Sequence, residues 1–250
     1  MSTVSGPLIL VGCGKMGGAL LEGWIAHGVA PAEVTVVEPA AELAEAARAR
    51  HGVTAVAGAE AVDTDLAPRV VVFAVKPQAM DDVAPNYRRF VAPETVFLSI
   101  AAGKTIGYFS RHLGSQAAIV RAMPNTPAAV GHGIAVLCAN AKVSGDQRAA
   151  CQALLAAVGE AVWVDDEALM DAVTAVSGSG PAYVFLLIEC LAEAGVDAGL
   201  PAELAMRLAG ATVHGAGVLA RRSPEPAATL RKNVTSPGGT TQAALEVLMG

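Results

Sequence analysis

Leu8-Ile9-Leu10-Val11-Gly12-Cys13-Gly14-Lys15-Met16-Gly17 decides the fold of the N-terminal part of this chain. The apolar run at residues 8–11 reads as a strand buried on both faces. It leads directly into Gly-x-Gly-x-x-Gly, after which residues 16–27 read as a helix ended by Gly28. In that setting each glycine has its own task. Gly12 makes the turn, Gly14 lets backbone approach a pyrophosphate, and Gly17 lets helix and strand pack closely. A bare Gly-x-Gly-x-x-Gly says little. With a strand before it, a helix after it and a second strand ending in an acid at Glu38, it is a dinucleotide fingerprint. Cys13, Lys15 and Met16 complete the loop, Cys13 as a small residue rather than a reactive thiol.

Glu38 closes the run at 34–38, the place where a carboxylate holds the adenosine ribose 2′-hydroxyl. A 2′-phosphate would meet its negative charge, and residues 39–47 contain no Arg or Lys to offset it. Between NADH and NADPH the sequence therefore tilts toward NADH. Further β-rich runs are expected at 70–75, 96–100, 119–121, 134–138 and 162–164. Ala-rich helices alternate with them at 40–50, ended by Gly52, and at 144–158, opened by Ser144 as N-cap and closed by Gly159. That alternation predicts an α/β fold, a doubly wound parallel sheet wrapped by helices. Ligands of such sheets bind at the carboxyl ends of strands. Ala74-Val75-Lys76-Pro77, the small residues Ala101 and Ala102, and the stretch 121–127 all lie at successive strand ends.

After Asp165-Asp166-Glu167 no β-rich run returns. The expected division is a dinucleotide domain at 1–165 and a helical domain at 166–250. Helices are predicted at 181–194, 201–220 and 240–249, with Ser179 and Gly180 before Pro181 reading as a helix start. The first two are apolar over much of their circumference, which marks buried helices. A helical stretch this short has little core of its own, so packing against a second copy of the chain is expected. Near the end, Asn233-Val-Thr-Ser-Pro-Gly-Gly-Thr-Thr241 runs into another helix. Gly238 and Gly239 free the backbone, and the Thr pair can cap a helix whose first N–H groups lack intrahelical partners. Such a helix end is a receptor for a small anion such as a carboxylate.

Composition excludes several classes. The chain has 250 residues, 53% of them hydrophobic, with mean hydropathy +0.48. Its longest uncharged stretches are interrupted by Gly, Pro, Ser or Asn, so no membrane span is expected. A net charge of −6 without a basic stripe argues against nucleic acid. Cys13, Cys138, Cys151 and Cys190 are scattered, and the histidines form no ligand pair on one helix face, so neither a disulfide framework nor a metal is expected. The start, Met1-Ser-Thr-Val-Ser-Gly-Pro7, lacks the charged opening of a secretory signal, and a cytoplasmic location follows as the expectation.

The fingerprint, Ala-Val-Lys-Pro-Gln at 74–78, Arg-Ala-Met-Pro-Asn-Thr-Pro at 121–127, Ser-Gly-Ser-Gly-Pro-Ala-Tyr at 177–183 and Val-Thr-Ser-Pro-Gly-Gly-Thr-Thr at 234–241 occur in order across the whole chain. With them the sequence resembles the pyrroline-5-carboxylate reductases, and the last two motifs are the specific ones. The resemblance implies reduction of 1-pyrroline-5-carboxylate to L-proline by NAD(P)H, the final step of proline synthesis. It implies a Rossmann-type domain followed by an all-α dimerisation domain, with homodimers assembling into larger rings. It also implies that Ser236, Gly238, Gly239, Thr240 and Thr241 hold the substrate carboxylate, that Ser179 lies near the substrate, and that Thr241, beside the ring nitrogen, is catalytic. The loops at 12–17, 74–77 and 99–103, with Asn125, would line the cofactor. The chain departs from the family pattern at Gly58, where an Asn often contacts the adenosine ribose, and in stopping at Met249-Gly250.

A cyclic imine that arrives protonated needs little acid–base machinery, which fits motifs without an obvious catalytic His or Lys. The runner-up enzyme class, β-hydroxyacid dehydrogenases, needs a lysine on the helix after the domain junction, and residues 181–193 contain none. A cofactor-binding sensor without activity is the reading from another class. The intact segment 236–241 argues against it.

Overall fold

The computed structural model describes residues 4–250. Its contacts divide the chain into two compact units, Met1–Pro181 and Ala182–Gly250.

The first unit is built on one eight-stranded sheet. In chain order it contains β1 (Leu8–Val11), α1 (Lys15–Ala26), β2 (Val34–Val37), α2 (Ala41–His51), β3 (Thr54–Val56), β4 (Val70–Phe73), α3 (Met80–Val83), β5 (Val96–Ser99), α4 (Ile106–Leu113), β6 (Ala118–Met123), β7 (Gly133–Ala139), α5 (Gly145–Ala156), β8 (Gly159–Trp163) and α6 (Met170–Val173). The strand order is β3-β2-β1-β4-β5-β6-β7-β8. The order in which strands are added reverses at β1, with β2 and β3 on one side and β4 onward on the other, all parallel as far as β6, and this is the switch point where α/β sheets bind ligands. β1 shows why its residues are apolar without alternation. Leu8 and Leu10 join the core under α1, α2 and α5, while Ile9 and Val11 join the core under α3 and α4. All four are buried.

Two expectations about the sheet need correction. It is not wholly parallel, because β7 pairs with β6 antiparallel and β8 then follows β7 in parallel. Residues 124–132 join β6 to β7, and a parallel crossover needs a dozen or more. The strand β3 was not expected. It is a three-residue edge strand whose first residue is exposed, and it exists because it pairs with β2. The helix expected at 144–158 does open on Ser144, through a capping box with Gln147. It ends at Ala156, with Ala157 as C-cap, and Gly159 belongs to β8, where any Cβ would run into the Gly133 backbone.

The Ser-Gly-Ser-Gly segment is not a break between helices. Residues 174–178 form a π-helical turn leading into α7 (Gly180–Asp197), with Ser179 N–H donating to Thr174 O at 2.8 Å. Pro181 has no N–H for the Ser177 carbonyl, and its ring would crowd that carbonyl in a regular helix. A π-turn absorbs both problems. The consequence is a continuous helical run, Glu167–Asp197, of 31 residues. Its mean hydropathy over an 18-residue window is 1.5, long and apolar enough to cross a membrane by length and composition, contrary to the expectation from the interrupted sequence.

The second unit contains most of α7, then α8 (Ala202–Arg222), α9 (Ala227–Asn233) and α10 (Thr240–Met249). α7 and α8 approach closely where small residues meet. A Cβ placed on Gly195 would lie 3.1 Å from the Ala205 methyl. Apart from Ala192, Ala205 and Ala209, the apolar side chains of this unit are not buried within the chain, and Phe185 and Leu186 are 57% and 58% exposed.

Candidate active site

The glycine-rich loop lies at the switch point, and the three glycines are distinguishable by what surrounds them. Gly12 has φ +92, and a Cβ on it would press on the Ala74 carbonyl at 2.9 Å. A Cβ on Gly17 would overlap the Gly12 carbonyl oxygen. These two are required by the protein's own packing. A Cβ placed on Gly14 would meet nothing within 4 Å. The first bond of α1, from Gly18 N–H to Gly14 O at 2.7 Å, leaves the N–H groups of Lys15, Met16 and Gly17 ahead of it without intrahelical partners. An open glycine in front of free N–H groups and a positive helix end fits a pyrophosphate. Cys13 is buried beside this loop. Burial first, then the Glu38 carboxylate, raise its thiol pKa, so it is no nucleophile.

Glu38 is buried immediately after β2. Its backbone N–H donates to Val56 O of β3 at 2.9 Å. Its carboxylate accepts from Cys13 N–H at 2.8 Å through one oxygen and from Ala40 N–H at 3.0 Å through the other. Glu38 closes the β2 run as expected, and its carboxylate is in addition tied to the glycine-rich loop.

The other strand-end segments reach the same edge of the sheet. Ala74 N–H donates to Val11 O at 2.8 Å, which places the 74–77 loop beside the fingerprint. Val75 is half-buried, Lys76 is exposed, and Pro77 opens a short turn to Ala79. After β5, Ala101 is buried and Ala102 exposed. Asn125, expected at the cofactor, has a bracing role in the fold. Its amide N–H donates to Ser177 Oγ at 3.2 Å, and its carbonyl accepts from Ile134 N–H at 3.0 Å. The π-turn is further gripped at Gly178, where a Cβ would overlap the Met123 methyl. Ser179 is half-buried next to it.

Two polar arrangements escaped the sequence reading. Arg121, buried in β6, pairs with Glu167 at 3.0 Å and reaches Asp171 at 3.5 Å, while Glu167 also accepts from Ile106 N–H at 2.8 Å. An arginine inside Ala-Ile-Val-Arg-Ala-Met signals a hidden carboxylate partner, though not which one. The second arrangement secures the loop after β5. Tyr108 donates to Asp81 at 2.6 Å, and Lys104 sits 3.6 Å from Asp81 and 4.1 Å from the centre of the Tyr108 ring. The Tyr108 hydroxyl is the chief cause holding the Asp81 carboxyl below its ordinary range, with Lys104 and His112 adding to it against partial desolvation.

In the second unit the Ser-Pro-Gly-Gly-Thr-Thr motif forms the head of α10. The expectation that the Thr pair caps this helix is corrected. The N-cap is Gly239, with no side-chain cap, and Thr240 and Thr241 are its first two helical residues. Gly238 takes φ +70, and its N–H donates to Gln242 Oε1 at 2.8 Å. The first helical bond is Ala243 N–H to Gly239 O at 3.3 Å, so the N–H groups of Thr240, Thr241 and Gln242 precede it. Ser236 and both threonines are exposed. Free N–H groups and hydroxyls thus converge on one solvent-facing helix end, the arrangement that receives a carboxylate.

A family model described as pyrroline-5-carboxylate reductase dimerisation matches residues 167–250, and one described as NADP oxidoreductase, coenzyme F420-dependent, matches residues 8–103. The pyrroline-5-carboxylate reductase of Pseudomonas aeruginosa is 44% identical over 241 residues, 96% of this chain and 87% of that protein. A solved structure of a pyrroline-5-carboxylate reductase from Coxiella burnetii superimposes with TM-score 0.90 at 34% identity, covering 98% of this chain and 91% of that one. The pyrroline carboxylate reductase of Plasmodium falciparum, solved with NADP bound, gives TM-score 0.83 at 31% identity, covering 98% and 90%.

Proposed function

This chain belongs to the pyrroline-5-carboxylate reductase family, and we infer from its residues how it carries out that reaction. It is an NAD(P)-dependent oxidoreductase that reduces the cyclic imine 1-pyrroline-5-carboxylate to L-proline, the last step of proline biosynthesis. The observation that carries the mechanistic reading is the uncapped head of α10, where three N–H groups and the Thr240 and Thr241 hydroxyls face solvent together.

In this reading the substrate carboxylate is held by Ser236, Gly238, Gly239, Thr240 and Thr241. The helix dipole and the N–H groups favour the anion. The reduced nicotinamide, when bound, supplies the hydride to the imine carbon. The protein's part is placement, since holding donor and acceptor at near-attack geometry accounts for most of such a rate gain. The Thr241 hydroxyl is a poor acid. Its role is to orient the ring nitrogen and relay a proton from water.

Gly12, Gly14 and Gly17, with the N–H groups of Lys15, Met16 and Gly17, would hold the pyrophosphate, and Cys13 lies in the turn between them. Ala74, Val75, Lys76 and Pro77, with Ala101 and Ala102, would flank the nicotinamide half, and Asn125 braces the same edge. Glu38 inclines the site toward NADH over NADPH, since a 2′-phosphate would face its charge. The working form is a homodimer joined through the exposed apolar helices of the second unit, with dimers assembling further into a ring. A cytoplasmic location agrees with four free cysteines.

The test is oxidation of NADH and NADPH at matched concentrations with 1-pyrroline-5-carboxylate as acceptor. Turnover with a clear NADH preference is expected. Turnover preferring NADPH would retain the enzyme and discard the reading of Glu38. Cofactor binding without turnover would indicate a sensor.

A further inference from the structure

We propose that Glu38 is a positioning residue for the glycine-rich loop as well as the group that sets cofactor preference. This rests on reading residues 12–17 as a dinucleotide site.

The two roles separate on geometry. One carboxylate oxygen receives Cys13 N–H at 2.8 Å, inside the turn between Gly12 and Gly14. The other receives Ala40 N–H at 3.0 Å, at the N-cap of α2. One buried side chain therefore spans the two segments that flank the adenosine half of the crevice. Its own backbone is secured by the bond to Val56 of β3 and by the end of β2. Charge-assisted hydrogen bonds of this kind are the strong ones, and burial strengthens them further. A carboxylate has about four acceptor sites, so capacity remains for a ribose hydroxyl.

The same bonds shape what a 2′-phosphate would encounter. Pro39 has no N–H to offer, and the Ala40 N–H is already taken by Glu38. The N–H groups of Ala41, Glu42 and Leu43 come before the first bond of α2, Ala44 N–H to Ala40 O at 3.0 Å. That helix end would attract a phosphate on its own, but Glu38 stands ahead of it and Glu42 lies in its first turn. Phosphate exclusion thus depends on the charge of Glu38, whereas loop order also needs its reach and both of its acceptor oxygens.

Two substitutions separate these properties. Glu38→Asp keeps the charge and shortens the side chain by one methylene, so it cannot span both N–H groups. Glu38→Gln keeps the reach and removes the charge, but its amide NH2 cannot accept, so one of the two backbone bonds is lost with the charge and exchange should rise in one of the two peptides only. Dissociation constants for NADH and NADPH would be measured by calorimetry, together with amide hydrogen exchange of the peptides holding Cys13 and Ala40. Glu38→Asp should weaken NADH binding by about tenfold, accelerate exchange in both peptides, and leave NADH preferred. Glu38→Gln should move the NADPH-to-NADH ratio of dissociation constants by about tenfold toward NADPH.

Wild-type affinity and exchange in Glu38→Asp would overturn the positioning role. An unchanged cofactor ratio in Glu38→Gln would overturn the selective one. Failure of the wild type to bind either cofactor would instead defeat the reading of the fingerprint, while the exchange data would still decide whether Glu38 orders the loop.

Discussion

At the residue scale, the three fingerprint glycines carry different obligations. Gly17 is fixed by the Gly12 carbonyl beside it, whereas Gly14 faces open space. Gly14→Ala should leave thermal stability within about 2 °C of wild type and raise the Kd for NADH by tenfold or more. Gly17→Ala should cost about 1–3 kcal/mol in denaturant unfolding, because the methyl must displace backbone. If Gly14→Ala destabilised the protein as Gly17→Ala does, the open-face reading would fail. Thr241 belongs to the same scale. Thr241→Ala should lower kcat/KM by about a hundredfold, within the range for a positioned proton-transfer group, with Kd for NADH near wild type. Unchanged kcat/KM would remove Thr241 from the mechanism. The turn glycines and the acid closing β2 could be placed from the sequence because a strand end followed by a tight turn restricts which residues can stand there. The Asn125–Ser177 brace could not, since an amide's partner 52 positions away leaves no local pattern.

At the element scale, local chemistry set some boundaries and tertiary pairing set others. Ser144 and Gln147 form a complete capping box, with Gln147 N–H donating to Ser144 Oγ at 3.2 Å and Ser144 N–H to Gln147 Oε1 at 2.9 Å. Ser144→Ala should cost about 1 kcal/mol, read from denaturant unfolding. A cost indistinguishable from zero would mean that tertiary packing, not the cap, holds the start of α5. The antiparallel turn into β7 was within reach of sequence reasoning, from the short connection after β6. The π-turn was not. Gly and Pro together read as punctuation, and only the grip of Met123 and Asn125 on residues 177 and 178 shows why the helix continues through them.

At the scale of the whole molecule, the second unit leaves its apolar side chains uncovered. Leu187 and Leu191 of α7 and Leu204 and Leu208 of α8 are 45%, 42%, 43% and 49% exposed. Surfaces of this kind are interaction sites, and a dimerisation domain matches this region. The wild type should therefore run above its 25.2 kDa chain mass in light scattering, at the dimer or a multiple of it. Leu187→Lys should shift the population toward monomer and reduce activity with it. A wild type that is monomeric and fully active would exclude the interface. The apolar run through Glu167–Asp197 explains why composition alone misleads here, since a helix covered by a second copy and one covered by lipid share the same residues.

The sequence by itself determined the α/β class, the strand–glycine turn–helix start at residues 8–26, the presence of a helix after Gly238-Gly239 and the family, because these depend on backbone requirements and short-range order. Tertiary structure decided the direction of β7, the edge strand β3, the continuity through Pro181 and the partners of Arg121 and Asp81. It also decided that Glu38 is bound to the loop it was expected only to accompany. Each of these depends on which distant residues meet, and a linear pattern records what a residue can bond to but not which partner the fold brings to it.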